Sequence, residues 1–337
     1  MGSFSCRCLG RCFTVMFALC LLVGPSLAAG PEISDSRDVP RVQRVEMDDE
    51  TLDRMLALHH TAHESVGMVL LPAAVTDKKG RPVRDLAISD FQLFENAAPQ
   101  SIRYFSSDTN EPVSIAFLLD LSGSMRQLEK LEHAKEAIRF FVDALEPQDQ
   151  FALIGFADRQ VSWITEFTQD RERFLERLSV QVGLGQTALH DAVAAAPGLV
   201  DERIEGRKAI VLITDGVDNH SGLAQQTALQ LAREVNVPIY TIGFLSVNPK
   251  HLPKGTVEMD LQALRSISDE TGGRIFAVHD PDELKEAVNL IDDELRFQYV
   301  IGYYPDSLAQ PGEFRRLQLE GPQRLAIRTR SGYLGSR

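Results

Sequence analysis

Ser114-Ile115-Ala116-Phe117-Leu118-Leu119-Asp120-Leu121-Ser122-Gly123-Ser124 is the stretch whose reading decides the fold. Its apolar run, Ser114 to Leu119, predicts a strand buried on both faces. At the end of that run a carboxylate and two hydroxyls leave on one tight loop, eased by Gly123. Oxygen donors gathered on one loop suit a hard divalent cation such as Mg²⁺, which prefers oxygen ligands in octahedral geometry. Two further oxygen groups stand at loops of the same kind. Thr187 follows Gly183-Leu184-Gly185-Gln186, and Asp215 ends the apolar run Ala209 to Thr214 and precedes Gly216. Taken singly, each has a plainer reading: the hydroxyls as helix N-caps, Asp215-Gly216 as a turn. Together they favour one shared metal site.

Outward from this loop, residues 109–296 alternate strand and helix, the mark of an α/β layered sheet. After Ser124, Leu128, Leu131, Ala134, Ile138, Phe141, Val142 and Leu145 recur at helical spacing and stop before Pro147. Phe151–Phe156 and Val161–Phe167 read as a hairpin about Asp158-Arg159. Further helices are predicted over 171–180, 188–200 (with Pro197 kinking or ending it), 223–235, 261–271 and 282–296. Further strands are predicted over 209–214, 238–243 and 274–278. In open parallel sheets ligands bind outside the carboxyl ends of the strands. Asp120 and Asp215 sit at such ends, and Thr187 comes from a loop able to reach the same rim.

The set Asp120-x-Ser122-x-Ser124, Thr187 and Asp215 resembles the metal-ion-dependent adhesion site (MIDAS) of von Willebrand factor type A domains, complete and in the right order. The resemblance implies a Rossmann-like three-layer fold, mostly parallel with one antiparallel edge strand. It implies that Ser122, Ser124 and Thr187 bind Mg²⁺ or Mn²⁺ directly, and that Asp120 and Asp215 act mainly through water. Neutral hydroxyls leave such a cation electron-poor, so an open position would attract a carboxylate from a partner. The function implied is adhesion: recruitment of a protein or peptide ligand offering Asp or Glu. Asp218 reads either as a group orienting a water beside the site or as a solvent-facing turn residue. His190 and Asp191 read as structural, with Asp191 favouring the helix dipole. Trp163 and Phe167 read as strand packing.

A metal-assisted hydrolase using the same ion is the competing class, and a structural envelope protein without a metal is a third. Against hydrolysis, the sequence offers no nucleophile–base pair beside the site and no Gly-x-Ser-x-Gly, His-Glu-x-x-His or P-loop pattern. The reading is therefore not an enzyme.

The chain opens with Arg7 and Arg11, then the apolar stretch Phe13 to Val23, then Gly24-Pro25-Ser26-Leu27-Ala28-Ala29. This is the layout of a secretory signal peptide over 1–28, cleaved after Ala28, and it predicts a periplasmic or secreted protein. All four cysteines (Cys6, Cys8, Cys12, Cys20) lie in that leader. The mature chain then has neither a disulfide nor a thiolate metal site. The formal net charge is −13; losing Arg7 and Arg11 makes the mature chain more acidic still. Such a surface repels nucleic acid. No second apolar segment is long enough to span a membrane.

Residues 29–64 read as a polar lead-in, flexible over 30–47, with a short helix over 48–63. His59, His60 and His63 on it read as exposed rather than metal-binding. Residues 65–108 read as a small β module, with a turn at Asp77-Lys78-Lys79-Gly80. It resembles the immunoglobulin-like segments of bacterial surface proteins. Residues 297–337 turn β again. More of the chain resembles a bacterial family of exported von Willebrand type A proteins, through Val75-Thr76-Asp77, Asp90-Phe91, Gly302-Tyr303-Tyr304 and Ser331-Gly332-Tyr333. Because the first strand begins and the last helix ends on the side away from the metal, both flanking β segments are expected to emerge there. They are expected to pair into one small β-sandwich.

Overall fold

The computed structural model describes residues 44–46, 67–107, 111–201, 206–216, 218–244, 256–278 and 281–335. The signal-peptide reading of 1–28 and the helix expected over 48–63, with its three histidines, lie outside the described residues. The central strand β6 (Val113–Asp120) is buried at every position. Its neighbours are β7 (Gln150–Ala157) and β9 (Arg207–Thr214), both parallel to it. Next to β9 come β10 (Ile239–Phe244) and β11 (Ile275–Val278), again parallel. On the other side β8 (Gln160–Thr168) runs antiparallel to β7. The hairpin predicted about Asp158-Arg159 is present, with Asp158 at φ +50°.

The sequence expected β8 to be the edge. Instead β1 (Arg44–Glu46) pairs antiparallel with it, so the seven-stranded order is β1-β8-β7-β6-β9-β10-β11. These three residues fall in the stretch expected to be a flexible lead-in. They carry no periodicity to announce a strand, and their order comes from the open backbone edge of β8.

Alternation along β6 divides the core. Ile115, Phe117 and Leu119 pack under α1 (Lys130–Ala144), α2 (Arg171–Ser179) and α6 (Pro281–Arg296), through Phe141, Phe174 and Ile291 among others. Ala116 and Leu118 face the opposite layer, where α3 (Leu189–Asp201), α4 (Gln225–Glu234) and α5 (Thr256–Thr271) contribute Val193, Ala232 and Leu264. This is the expected three-layer α/β fold. Pro197 does not end the helix: α3 continues past it to Asp201. Pro197 lies on the buried face of that helix, where packing outweighs the local preference to stop.

Two four-stranded antiparallel sheets form a sandwich from the flanking segments. One has the order β14-β2-β12-β5: Ala326–Arg328, Val69–Thr76, Tyr299–Tyr303, Ile102–Ser106. The other has the order β15-β13-β3-β4: Gly332–Leu334, Phe314–Glu320, Gln92–Glu95, Ala98–Gln100. Leu71, Val75, Tyr299 and Ile301 from the first meet Phe91, Leu93, Leu317 and Leu319 between them. Each sheet therefore draws strands from both ends of the described chain.

The sandwich is joined at the end of the α/β sheet where β6 and β9 begin. There Arg207 donates to the carbonyls of Leu295, Arg296 and Gln298, and pairs with Glu111 at 3.0 Å. Buried Glu294 on α6 holds Arg274 at 3.0 Å and Arg328 of β14 at 2.6 Å. The opposite rim, at the carboxyl ends of β6 and β9, is left for the loops that carry the candidate site. Among the described residues no helix is long and apolar enough to cross a membrane.

Candidate metal centre

Asp120 is the last residue of β6 and is fully buried. Its two carboxylate oxygens are held separately: Oδ1 accepts from the Ser122 backbone N–H at 2.9 Å, and Oδ2 accepts from the Thr214 hydroxyl at 2.7 Å. Thr214 thus ties the end of β9 to the end of β6, and the Gly216 N–H donates to the same hydroxyl oxygen at 3.1 Å. Burial pushes the Asp120 carboxyl up to about 6, against the hydrogen bonds from Ser122 and Thr214; the charge of Asp215 adds to the rise.

The chain then turns through a 3-10 segment, Gly123–Glu129, before α1 begins, with Glu129 in the left-handed region at the joint. This short turn brings the Ser122 and Ser124 hydroxyls to 3.0 Å of each other. Ser122 is buried and Ser124 half-buried.

The glycine loop lies directly against this turn. Gly123 N–H donates to the Gly185 carbonyl at 2.9 Å, and Leu184 N–H donates to the Leu121 carbonyl at 2.6 Å. A Cβ on Gly183 would stand 2.7 Å from the Ser122 carbonyl oxygen, so only glycine permits this approach. Gly185 takes φ +86° beside the Asp158 carboxylate, which itself accepts from Gln186 N–H at 2.8 Å. Thr187, next in the chain, is buried. Its carbonyl accepts from Asn219 and His220 at 3.0 Å each, and its N–H donates to the Asn219 side chain at 2.9 Å. The three loops carrying Ser122, Thr187 and Asp215 are therefore knitted into one rim. Asp120, Ser122 and Ser124 lie at the first of these loops, Thr187 on the second and Asp215 on the third.

Asp215 is buried, and its two oxygens differ. Lys130 Nζ, at the start of α1, sits 2.9 Å from Oδ2 with both side chains almost wholly excluded from solvent. Oδ1 is buried with no hydrogen-bond partner among the described residues. A buried carboxylate oxygen without a donor costs on the order of 1–3 kcal/mol, so this atom is one that a cation or its water would satisfy. The donor set is carboxylate and hydroxyl oxygen throughout, which fits Mg²⁺ or Mn²⁺ and not a soft metal.

Lys130 was not singled out in the sequence, although a signal was there. Lys130, Ala134, Ala137 and Phe141 share one helical face at i, i+4, i+7 and i+11, and all are buried. A lysine on the core face of an amphipathic helix needs a buried anion. Thr214 and Asn219 were likewise missed, because each acts through another residue of the rim.

Asp218 is not a solvent-facing turn residue, since its side chain is only 18% exposed. Its Oδ1 accepts from Leu189 N–H at 2.8 Å and from the Ser221 hydroxyl at 2.5 Å, capping the start of α3 just after Thr187. Asp191 stands in the first turn of α3 and also makes specific contacts. Fully buried, it accepts from Gly222 and Leu223 N–H at 3.0 and 2.9 Å and pairs with Arg159 at 3.3 Å. Trp163 and Phe167 pack edge to face on β8.

The family model for the von Willebrand factor type A domain matches residues 114–290, more than half of the chain. Among curated proteins, an uncharacterized protein of Borreliella burgdorferi is 30% identical over 225 residues, covering 62% of each chain. A UPF0353 protein of Mycolicibacterium vanbaalenii is 27% identical over 289 residues, 70% of this chain and 83% of that one. The match spans 62% of the length of the B. burgdorferi relative and likewise of one from Mycolicibacterium gilvum. Among solved structures, BatB from Bacteroides thetaiotaomicron is 22% identical with a TM-score of 0.43, covering 55% of this chain and 98% of its own. Proximal thread matrix protein 1 from the mussel byssus, solved with a zinc-occupied MIDAS motif, is 21% identical with a TM-score of 0.46, covering 58% and 48%. On the extent of the family match, this chain belongs to the von Willebrand factor type A domain family.

Proposed function

We propose that Asp120, Ser122, Ser124, Thr187 and Asp215 form a metal-ion-dependent adhesion site for Mg²⁺ or Mn²⁺. On this reading the protein is an exported binding module that recognises an acidic side chain of a protein or peptide partner. The observation that carries the proposal is Asp215 Oδ1, a buried carboxylate oxygen left without a donor while Lys130 saturates its neighbour. It belongs to the same rim as two serine hydroxyls 3.0 Å apart.

The chain's own groups have distinct tasks. The hydroxyls of Ser122, Ser124 and Thr187 would hold the cation directly. Thr214 fixes the Asp120 carboxylate and Lys130 fixes that of Asp215. Lys130 also offsets one of the two carboxylate charges. A bound cation there supplies an electron-poor centre for an incoming carboxylate, and the partly neutralised rim does not quench it. The Ser122 hydroxyl lies 3.0 Å from that of Ser124 and beside the Asp120 carboxylate, so it is one oxygen of a converging set, which favours ligation over nucleophilic attack.

Calorimetric titration of the full chain with MgCl₂ and MnCl₂ tests the reading. One site is expected, lost in Asp120→Ala. Capture of an envelope protein that is released by chelator, with no turnover of generic esters or phosphates, completes the case. Absence of cation binding in a folded protein overturns it, and turnover abolished by Asp120→Ala would assign the site to hydrolysis instead.

A further inference from the structure

We propose that Lys130 decides which divalent cation the rim accepts. By holding Asp215 Oδ2 it leaves that carboxylate a single oxygen to offer, which suits Mg²⁺ or Mn²⁺ and turns away Ca²⁺. The inference rests on the metal reading above and adds to it a residue outside the donor set that sets its selectivity.

The placement of Lys130 asks for a reason. It opens α1, where the helix dipole is positive and disfavours a cation. Its side chain is buried, so the ammonium has also lost most of its water. Asp215, buried beside it at 2.9 Å, offsets both costs. A buried ion pair is weak evidence for stability, since apolar side chains of similar volume often serve as well. What the pair does to Asp215 is more specific.

The two oxygens of Asp215 are not equivalent. Oδ2 is held by the ammonium, and a cation brought to the same atom would meet that charge. Oδ1 is buried and has no hydrogen-bond partner among the described residues. The carboxylate therefore presents one oxygen, directly or through a water, and cannot close on an ion with both. Asp120 is restricted in a similar way, with Oδ1 accepting from Ser122 N–H at 2.9 Å and Oδ2 from the Thr214 hydroxyl at 2.7 Å. Nor do further acids gather here. Among the described residues no three His, Cys, Asp or Glu side chains stand where they could hold one ion.

The two cations ask for different surroundings. Ca²⁺ takes about six to eight oxygens, commonly with a bidentate carboxylate, and its affinity follows the charge of its ligands. Mg²⁺ takes about six in near-ideal octahedral geometry, keeps several waters and needs only one or two carboxylates. The hydroxyls of Ser122, Ser124 and Thr187, with two carboxylates whose second oxygens are tied, match the smaller ion. Lys130 also cancels one of the two negative charges, which weakens the rim most for a cation that depends on ligand charge.

Calorimetric titration of the full chain and of Lys130→Met with MgCl₂, MnCl₂ and CaCl₂ tests the inference. The parent is expected to bind Mg²⁺ at least about tenfold more tightly than Ca²⁺. Lys130→Met frees Asp215 Oδ2 and is expected to erase most of that gap, with Ca²⁺ gaining more than Mg²⁺. Lys130→Arg keeps the charge beside Asp215 and is expected to keep the parent's ratio. Where Lys130→Met does not fold, Lys130→Gln, which keeps a donor without the charge, takes its place and is expected to narrow the gap in part. A purely structural ion pair would shift melting and leave the ratio of Mg²⁺ to Ca²⁺ affinity alone. An unchanged ratio in the folded variant, or a parent that binds Ca²⁺ as tightly as Mg²⁺, overturns this inference and spares the metal reading. No cation binding by the folded parent overturns both.

Discussion

Lys130 Nζ and Asp215 Oδ2 meet at 2.9 Å, with 6% and 3% of their side chains exposed. The pair spans the start of α1 and the end of β9, so the helix that follows the serine loop is bolted to the far side of the same rim. Removing one partner of such a pair leaves an uncompensated charge and costs about 3–5 kcal/mol. Lys130→Met is therefore expected to lower the melting temperature in EDTA. A cation would supply part of the lost positive charge, so Mg²⁺ is expected to raise the melting point of Lys130→Met by more than it raises that of the parent. Thermal melts of both proteins with and without MgCl₂ decide this, and equal increments would refute a role for Lys130 at the cation site.

Gly183→Ala separates the rim from the fold. The added Cβ would fall 2.7 Å from a backbone oxygen, Ser122 O, which cannot swing aside. The serine loop and the glycine loop must part by some tenths of an ångström, which misplaces the Ser122 and Thr187 hydroxyls relative to each other. Metal affinity is expected to fall by at least about tenfold, since octahedral Mg²⁺ tolerates little displacement of its ligands. Gly312→Ala is the control: φ is +79° there, but no heavy atom lies within 4 Å of the new Cβ. It should cost about 1 kcal/mol of stability and leave cation binding untouched. Calorimetry on both variants makes the comparison.

The layered fold was legible because burial writes itself plainly into this sequence. Strands β6, β7 and β9 are buried along nearly their whole length and read as unbroken apolar runs. Their carboxyl ends could then be located, and with them Asp120 and Asp215. Elements stabilised by someone else's needs were not legible. Strand β1 is ordered by the open edge of β8, α3 runs through Pro197 because its buried face is packed, and Asp218 caps a helix 29 residues away in sequence. Side-chain oxygens at strand ends announce a site by their type. The groups that aim them, Lys130 and Thr214, are fixed only when α1 and β9 are brought together.

Glu234, at the end of α4, gives the protein a pH dependence outside the rim. Burial pushes its carboxyl up from 4.5 to about 7, and the charge of Arg233 only partly opposes the rise. A folded-state value above the unfolded one means that the native protein binds the extra proton. The stabilisation is full below about 4.5 and is lost as pH rises through about 7. Glu234→Gln has nothing to lose on that path. Its melting point is expected to exceed that of the parent by about 1–2 °C at pH 8 and to show no advantage at pH 4.5. A constant difference across that range would show that Glu234 is not the titrating group.

The two tail motifs, Gly302-Tyr303-Tyr304 and Ser331-Gly332-Tyr333, acquire a physical reason at Glu95. Its Oε2 accepts from the hydroxyls of both Tyr303 and Tyr333, the latter at 2.8 Å, while Oε1 pairs with Arg315 at 2.8 Å. Tyr303 belongs to one sheet of the sandwich, and Glu95, Arg315 and Tyr333 to the other, so a single carboxylate fastens the two sheets. Burial and the hydrogen bond to Glu95 push the Tyr303 hydroxyl far above its ordinary range, which keeps it a donor. Glu95→Ala would strand two hydroxyls and the Arg315 guanidinium, a loss of about 3–5 kcal/mol. Hydrogen exchange is expected to rise across 69–76, 299–303 and 314–320, whose strands pair around this node, while β6 and β9 stay protected. Uniform exchange across both regions would mean that the sandwich and the α/β sheet unfold as one unit. Fast exchange confined to the sandwich would show that Glu95 stabilises it separately from the layer that carries the metal rim.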